Sequence, residues 1–211
     1  MPLLGLLAAL GFGAGAVKAY NTNEPHLNPN RTVVVAGEIG PQTNPAVLQL
    51  GVLSRSRGTV TVLIDSYGGR VPDGLKLIAQ VENNKAAGNS VECVILNDSA
   101  SMASWLFLHC SKRYMVPMAK LLFHQARTGV VGVYTEDGLR SVADKLREID
   151  AQLLADFIKA TGWTEERARV LFKQEKFLST EECVAGLKIA TEFRPTKAFA
   201  DFVARNGVYN Q

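Results

Sequence analysis

Short runs of β-branched residues alternate along this chain with longer stretches of helical periodicity, and that alternation constrains the fold more than any other feature. TVVVA at 32–36 ends at Gly37, TVTVLI at 59–64 ends in a turn, and VECVIL at 91–96 and LLF at 121–123 follow the same plan. Near-continuous apolar runs of this length read as strands covered on both faces. Between the first two, Asn44 and Pro45 offer a helix N-cap and a proline at the first helical position, for a helix reaching about Arg55. Residues 72–87 set Leu75, Ile78, Ala79 and Val81 at helical spacing, and 101–110 are mostly apolar, as in a buried helix. The longest helix is predicted over 135–160, where Leu139, Val142, Leu146, Ile149, Leu153 and Phe157 keep one face and Gly162 ends it. Thr164 caps a shorter helix, and Ser179 with Glu182 forms a capping box. Strands joined by helices imply an α/β fold built on a mainly parallel sheet, with no internal repeat.

The remaining composition narrows the function classes. A chain of 211 residues suits one domain, and 47% apolar with 20% charged residues excludes disorder across its body. The net charge of +3 is spread along the chain, without the basic run that nucleic-acid binding needs. Cys93, Cys110 and Cys183 lie far apart among apolar neighbours, so three buried free thiols are expected, with no disulfide framework and no metal site. Free thiols favour the cytoplasm. Against that, the uncharged run PLLGLLAALGFGAGAV at 2–17 reads as a signal or anchor, or else as an arm packing on a partner subunit. Localisation is therefore open between the cytoplasm and export or tethering through residues 1–19. Residues 1–30 are divided into this apolar segment and a polar linker (NTNEPHLNPN, 21–30), followed by a domain over 31–195 and a C-terminal helix or tail over 196–211.

In parallel α/β folds functional groups gather where strands end and helices begin. Three such junctions here carry chemistry. DSYGG at 65–69 has paired glycines, Gly68 and Gly69, whose bare N–H groups can face a developing negative charge, or simply make a turn. Ser101 stands at the start of a buried helix, as a nucleophile or as an N-cap, with the Met102 N–H beside it. His124 follows an apolar strand and precedes Gln125, as a structural residue or as a base. Together they can supply an oxyanion hole, a nucleophile and a base.

DSYGG, then ASMA at 100–103, LFHQ at 122–125, and FLS at 177–179 with Glu181, Glu182, Gly186 and Leu187, occur in the order found in the proteolytic subunit of the Clp protease. The chain resembles that family, within the wider Clp/crotonase group, over about residues 31–193. The resemblance implies a spiral of repeated β-β-α units with a protruding long handle helix, here 135–160. It implies a serine endopeptidase with Ser101 as nucleophile, His124 as general base, and Gly69 and Met102 N–H groups as oxyanion hole. Gly68, Arg70, Val71 and Gln125 would border an extended substrate strand. For the third triad member the family has Asp before an Arg-Phe-Leu-Ser-like run; here Glu175 precedes Lys176 and FLS, and becomes the candidate. Tyr67 and Ala126 stand where the family usually has proline. Expected partners are polypeptide substrates, further copies in a ring or double ring, and an AAA+ ATPase unfoldase that would itself use ATP; no cofactor belongs to the chain.

Other polar residues carry plainer expectations. His109 in the apolar helix reads as a core or subunit-contact residue, His26 as solvated, and Lys112 and Arg113 as a solvated helix end. Ser99 and Ser104 flank Ser101 without matching the family pattern. Lys120 is the candidate for a serine–lysine dyad. Two rivals stand beside the peptidase: a catalytically silent Clp-like subunit, and a crotonase-type acyl-CoA enzyme that would not need Ser101.

Overall fold

The computed structural model describes residues 24–206; the apolar segment and the start of the polar linker lie outside the described residues. Among the described residues, eight strands and six α-helices alternate: β1 (Thr32–Ala36), α1 (Asn44–Leu53), β2 (Thr59–Asp65), α2 (Val71–Ala86), β3 (Ser90–Ile95), β4 (Ser99–Ala100), α3 (Met102–Leu108), β5 (Lys112–Met115), β6 (Lys120–Leu122), α4 (Glu136–Thr161), α5 (Glu165–Gln174), β7 (Leu178–Ser179), β8 (Thr191–Glu192) and α6 (Lys197–Arg205). A five-stranded sheet runs β1-β2-β3-β5-β8 with every pair parallel. A second sheet, β4-β6-β7, joins one parallel and one antiparallel pair. This mixed α/β arrangement is the one expected from the alternating pattern.

The central strands are apolar because both faces are covered. Val60, Val62, Leu63 and Ile64 of β2 and Val91, Cys93, Val94 and Ile95 of β3 are all fully buried. The α4 helix stops at Gly162 as predicted, in the left-handed region, and at its start the Thr135 side chain caps it by accepting from the Gly138 N–H. Its core contacts are concentrated toward the C-terminal end, at Leu154 and Phe157. There Phe157 meets the rings of Phe123, Phe172 and Trp163 at centroid distances of 5.0, 5.3 and 5.8 Å. These rings lock α4 and α5 onto the end of β6. Phe157→Ala is expected to cost about 3–5 kcal/mol by opening a cavity in this cluster, read as a lowered denaturation midpoint.

Several sequence expectations are corrected. Lys112 and Arg113 do not end a helix: they open β5, whose charged first half hides its strand character. Cys93 and Cys110 form a disulfide with a Cα–Cα distance of 5.9 Å, because β3 and the end of α3 bring residues 17 apart into contact. The argument for the cytoplasm from free thiols therefore falls away. Cys183 alone is free, and burial followed by the charge of Glu182 pushes its thiol up to about 12. The part of the polar linker that is described lies against the domain. Leu27 packs on the core, the Glu24 carboxylate accepts from the Thr196 N–H at 3.0 Å, and the Thr61 hydroxyl donates to the His26 carbonyl.

His26 is tied down by Glu92, a fully buried carboxylate on β3. Glu92 accepts from the His26 N–H at 2.9 Å, lies 3.1 Å from the His26 ring nitrogen and accepts from Lys112 at 2.9 Å. Burial by itself would raise the Glu92 carboxyl, but the His26 N–H, the Lys112 ammonium and the His26 ring together hold it below the ordinary glutamate range. Glu92→Gln is expected to cost about 1.5–3 kcal/mol at neutral pH, measured by chemical denaturation. Because the folded-state value is depressed, the contribution is present above the ordinary pKa of about 4.3 and is lost as pH falls through the lower folded value. Wild type and variant should therefore converge in acid.

Candidate active site

The site is assembled where both sheets end. In the first loop, Gly68 and Gly69 have φ of 89° and 152°, positions that suit glycine. Their backbone forms a short parallel bridge to Ile39: the Ile39 N–H donates to the Gly68 carbonyl and the Arg70 N–H to the Ile39 carbonyl, both at 2.7 Å. A methyl group on Gly69 would lie 2.2 Å from the Ile39 carbonyl oxygen, and one on Gly68 would lie 2.6 Å from Ser101 Cβ. The glycines thus let the loop close against Ile39 on one side and against Ser101 on the other.

Ser101 lies between β4 and α3 with φ 57° and ψ −126°. That region is costly for a residue with a side chain, about 1–3 kcal/mol, and such outliers gather at functional sites. The conformation is held by the Ser101 N–H donating to the Leu122 carbonyl and the Trp105 N–H to the Ser101 carbonyl, both at 3.0 Å. Although Ser101 occupies the N-cap position, its side chain makes no capping hydrogen bond. The cap reading of this serine therefore fails, and its hydroxyl is left at the head of the helix. Met102 begins α3, so its N–H belongs to the first helical turn, which has no intrahelical acceptor. Neither it nor the Gly69 N–H meets a protein acceptor among the described residues.

A cleft of about 260 Å³ brings together Ser101, Met102, Gly69 and His124, with Tyr67, Val71, Phe123, Leu153 and Phe172 giving it apolar walls. His124 is half-buried just past β6. Its Nδ1 lies 2.6 Å from the Gln125 carbonyl and 3.4 Å from Arg127 Nε. Nδ1 cannot donate to the first and accept from the second, and the shorter contact decides. With Nδ1 protonated toward the Gln125 carbonyl, Nε2 is the basic nitrogen. No hydrogen bond joins His124 to Ser101 in this conformation; such bonds commonly tighten only with substrate in place.

Glu175 reaches neither partner. It caps the C-terminus of α5 in the left-handed region, with φ 48° and ψ 39°, and its carboxylate pairs with Arg127 at 3.2 Å. Arg127 thus stands between Glu175 and His124. Sequence reading missed Arg127, as it missed Asp150, whose carboxylate accepts from the Ala126 N–H at 2.6 Å and pins the His124 loop to α4. A charge inside HQARTG was the available signal for Arg127; nothing local marks Asp150. Tyr67 packs edge-on against Phe177 at 6.4 Å, linking the glycine loop to the Glu175 segment.

The other candidates are occupied elsewhere. Ser99 and Ser104 are fully buried, the first accepting from the Ser66 N–H and the second donating to the Ser99 carbonyl. Lys120 pairs with Asp98 at 3.5 Å and does not line the Ser101 cleft. His109 sits between Glu82, 2.8 Å from Nδ1, and Asp156, 3.2 Å from Nε2, which also accepts from the Trp105 indole. It ties α2, α3 and α4 together. Among the described residues no cluster has the makings of a metal site.

The sequence pattern of the Clp protease family matches residues 16–187. The chain belongs to the Clp protease family. Curated relatives include the ATP-dependent Clp protease proteolytic subunit 2 of Chlamydia trachomatis serovar D, 26% identical over 195 residues, covering 89% of this chain and 92% of the relative. The proteins of the same name from C. trachomatis serovar A and Chlamydia muridarum are similar to the same extent. Membership in this Clp family supports a peptidase role, and the parallel sheet with its helices agrees with the Clp fold.

Proposed function

We propose that this chain is a serine endopeptidase acting on extended polypeptides. The observation that carries the reading is Ser101 at a positive φ, uncapped, sharing one cleft with His124 and the Gly69 and Met102 N–H groups. Ser101 Oγ attacks the scissile carbonyl carbon while its proton passes to His124 Nε2. The carbonyl oxygen gains negative charge and is held by the two N–H groups, each worth about 2.7–4 kcal/mol in the transition state. The C–N bond then breaks, and the amine takes the proton from Nε2, leaving an acyl-enzyme. Water, deprotonated by the same nitrogen, attacks the ester and releases Ser101. The Gln125 carbonyl, 2.6 Å from Nδ1, favours the tautomer with its proton on Nδ1 and so leaves Nε2 free to act as base. Glu175 takes over that role and stabilises the imidazolium if Arg127 releases it.

The substrate backbone runs extended past Gly68, Arg70 and Val71, on the side away from Ile39, which favours extended chains over folded ones. The largely exposed N-terminal part of α4 supports a role as the contact between rings, and an AAA+ ATPase is the partner that would supply unfolded chain. The disulfide and the apolar 2–17 run support export over the cytoplasm. A silent subunit is the second reading, favoured by the Arg127–Glu175 pair and by a His124 whose hydrogen bonds go to Gln125 and Arg127, none to Ser101.

Incubating wild type and Ser101→Ala with an unfolded reduced protein, and mapping the fragments by mass spectrometry, tests the reading. Internal cleavage by wild type alone is expected. Intact substrate with a folded wild type supports the silent subunit, and cleavage persisting in Ser101→Ala removes Ser101 from the chemistry.

A further inference from the structure

Beside the Ser101 cleft, and sharing Gly69, Val71 and Arg127 with it, opens a second recess of about 420 Å³. Its walls include Val71, Leu146 and Ile149, and its polar members include Arg70, Arg127 and Lys145, with no carboxylate lining either recess. Two of the cations are already engaged: Arg70 lies 3.4 Å from Asp73, which also holds Lys76 at 2.7 Å, and Arg127 lies 3.2 Å from Glu175. Lys145 makes no ion pair among the described residues. The Asp73 carboxyl is shared with Lys76, so Arg70 keeps most of its five donors for another acceptor. A substrate strand running from the apolar cleft into this recess meets positive charge along its path.

On the proposed peptidase reading, we propose that the Arg70–Arg127–Lys145 recess selects peptides carrying an acidic side chain within about three residues of the apolar one that fills the Ser101 cleft. An acidic side chain gains attraction there, whereas a basic one meets like charges. Arg127 gives the preference a second consequence. A substrate carboxylate that pairs with Arg127 competes with Glu175 for the same guanidinium, and frees Glu175 toward His124. Because these cations are largely exposed, the selection is moderate and is screened by salt.

The test is a set of internally quenched peptides with one apolar residue, in which Glu, Gln or Lys is walked through the three positions on either side. At low salt the best Glu peptide is expected to exceed its Gln counterpart roughly tenfold in kcat/KM, with Lys below Gln. The gap should shrink as salt is raised, which an apolar pocket alone would not produce. Lys145→Glu should reverse the order of the Glu and Lys peptides. Equal rates for Glu and Gln at every position, or an order unchanged in Lys145→Glu, overturn the inference while leaving the peptidase intact. A folded chain that cleaves none of the peptides and is not labelled by a fluorophosphonate overturns both.

Discussion

Alanine at Ser101 or at His124 is expected to lower kcat for peptide hydrolysis by about 10⁶-fold, and alanine at both to cost hardly more. The two side chains act in one step: without His124 the hydroxyl keeps its proton, and without Ser101 the imidazole has nothing to activate. A residual rate above water should persist in all three variants, because the Gly69 and Met102 N–H groups and the apolar cleft remain. Steady-state hydrolysis of a quenched peptide checks this. Effects that multiply, rather than saturate, would mean that the two residues contribute separately and that no serine–histidine unit exists. Both side chains border an open cleft and make few contacts, so the variants should keep the wild-type denaturation midpoint.

Gly68→Ala is expected to lower kcat by about 10²–10³-fold through position alone. The added methyl would lie 2.6 Å from Ser101 Cβ, 2.7 Å from the Ala100 carbonyl oxygen and 2.8 Å from the Met102 nitrogen, at φ +89°. The loop cannot retreat freely, since its carbonyl accepts from the Ile39 N–H and its own N–H donates to the Ser66 hydroxyl. Ser101 and the Met102 N–H must shift together, which moves the nucleophile and one oxyanion donor at once. The strain should also cost about 1–3 kcal/mol of stability. Gly186→Ala, where an added methyl meets nothing within 4 Å, is the control and should change neither quantity. Measuring kcat and thermal midpoint on both variants separates a local displacement from general loss of fold.

The long periodic elements were legible in the sequence because their patterns are local. The β1, β2 and β3 runs and the α4 helix, with its Gly162 stop, declare themselves in consecutive residues. So does the Ser179–Glu182 capping box, whose reciprocal hydrogen bonds measure 2.9 and 3.2 Å. The strands that escaped reading are short: β4, β7 and β8 have two residues each, and β5 begins with two charges. Pairing across the chain, not propensity, makes them strands. The same holds for the Cys93–Cys110 bond and for His26 on Glu92, which depend on contacts between residues 17 and 66 positions apart.

At the site, order along the chain brought out Ser101, His124, Gly69 and Met102, and the fold places them in one cleft. Glu175 shows the limit of that reasoning. Its position before FLS matches the family, yet its carboxylate is taken by Arg127 from a different loop. The Asp150 anchor under Ala126 has the same character, since only the packing of α4 brings that carboxylate to the His124 loop.

The central claim is that Ser101 is a nucleophile activated by His124, and covalent mapping tests it most directly. Purified wild type would be treated with a fluorophosphonate, digested, and the modified residue located by mass spectrometry, beside Ser101→Ala and His124→Ala. One adduct per chain on Ser101, absent from both variants, is the predicted result. A folded wild type that takes no adduct, or an adduct on another residue that survives in Ser101→Ala, would contradict it.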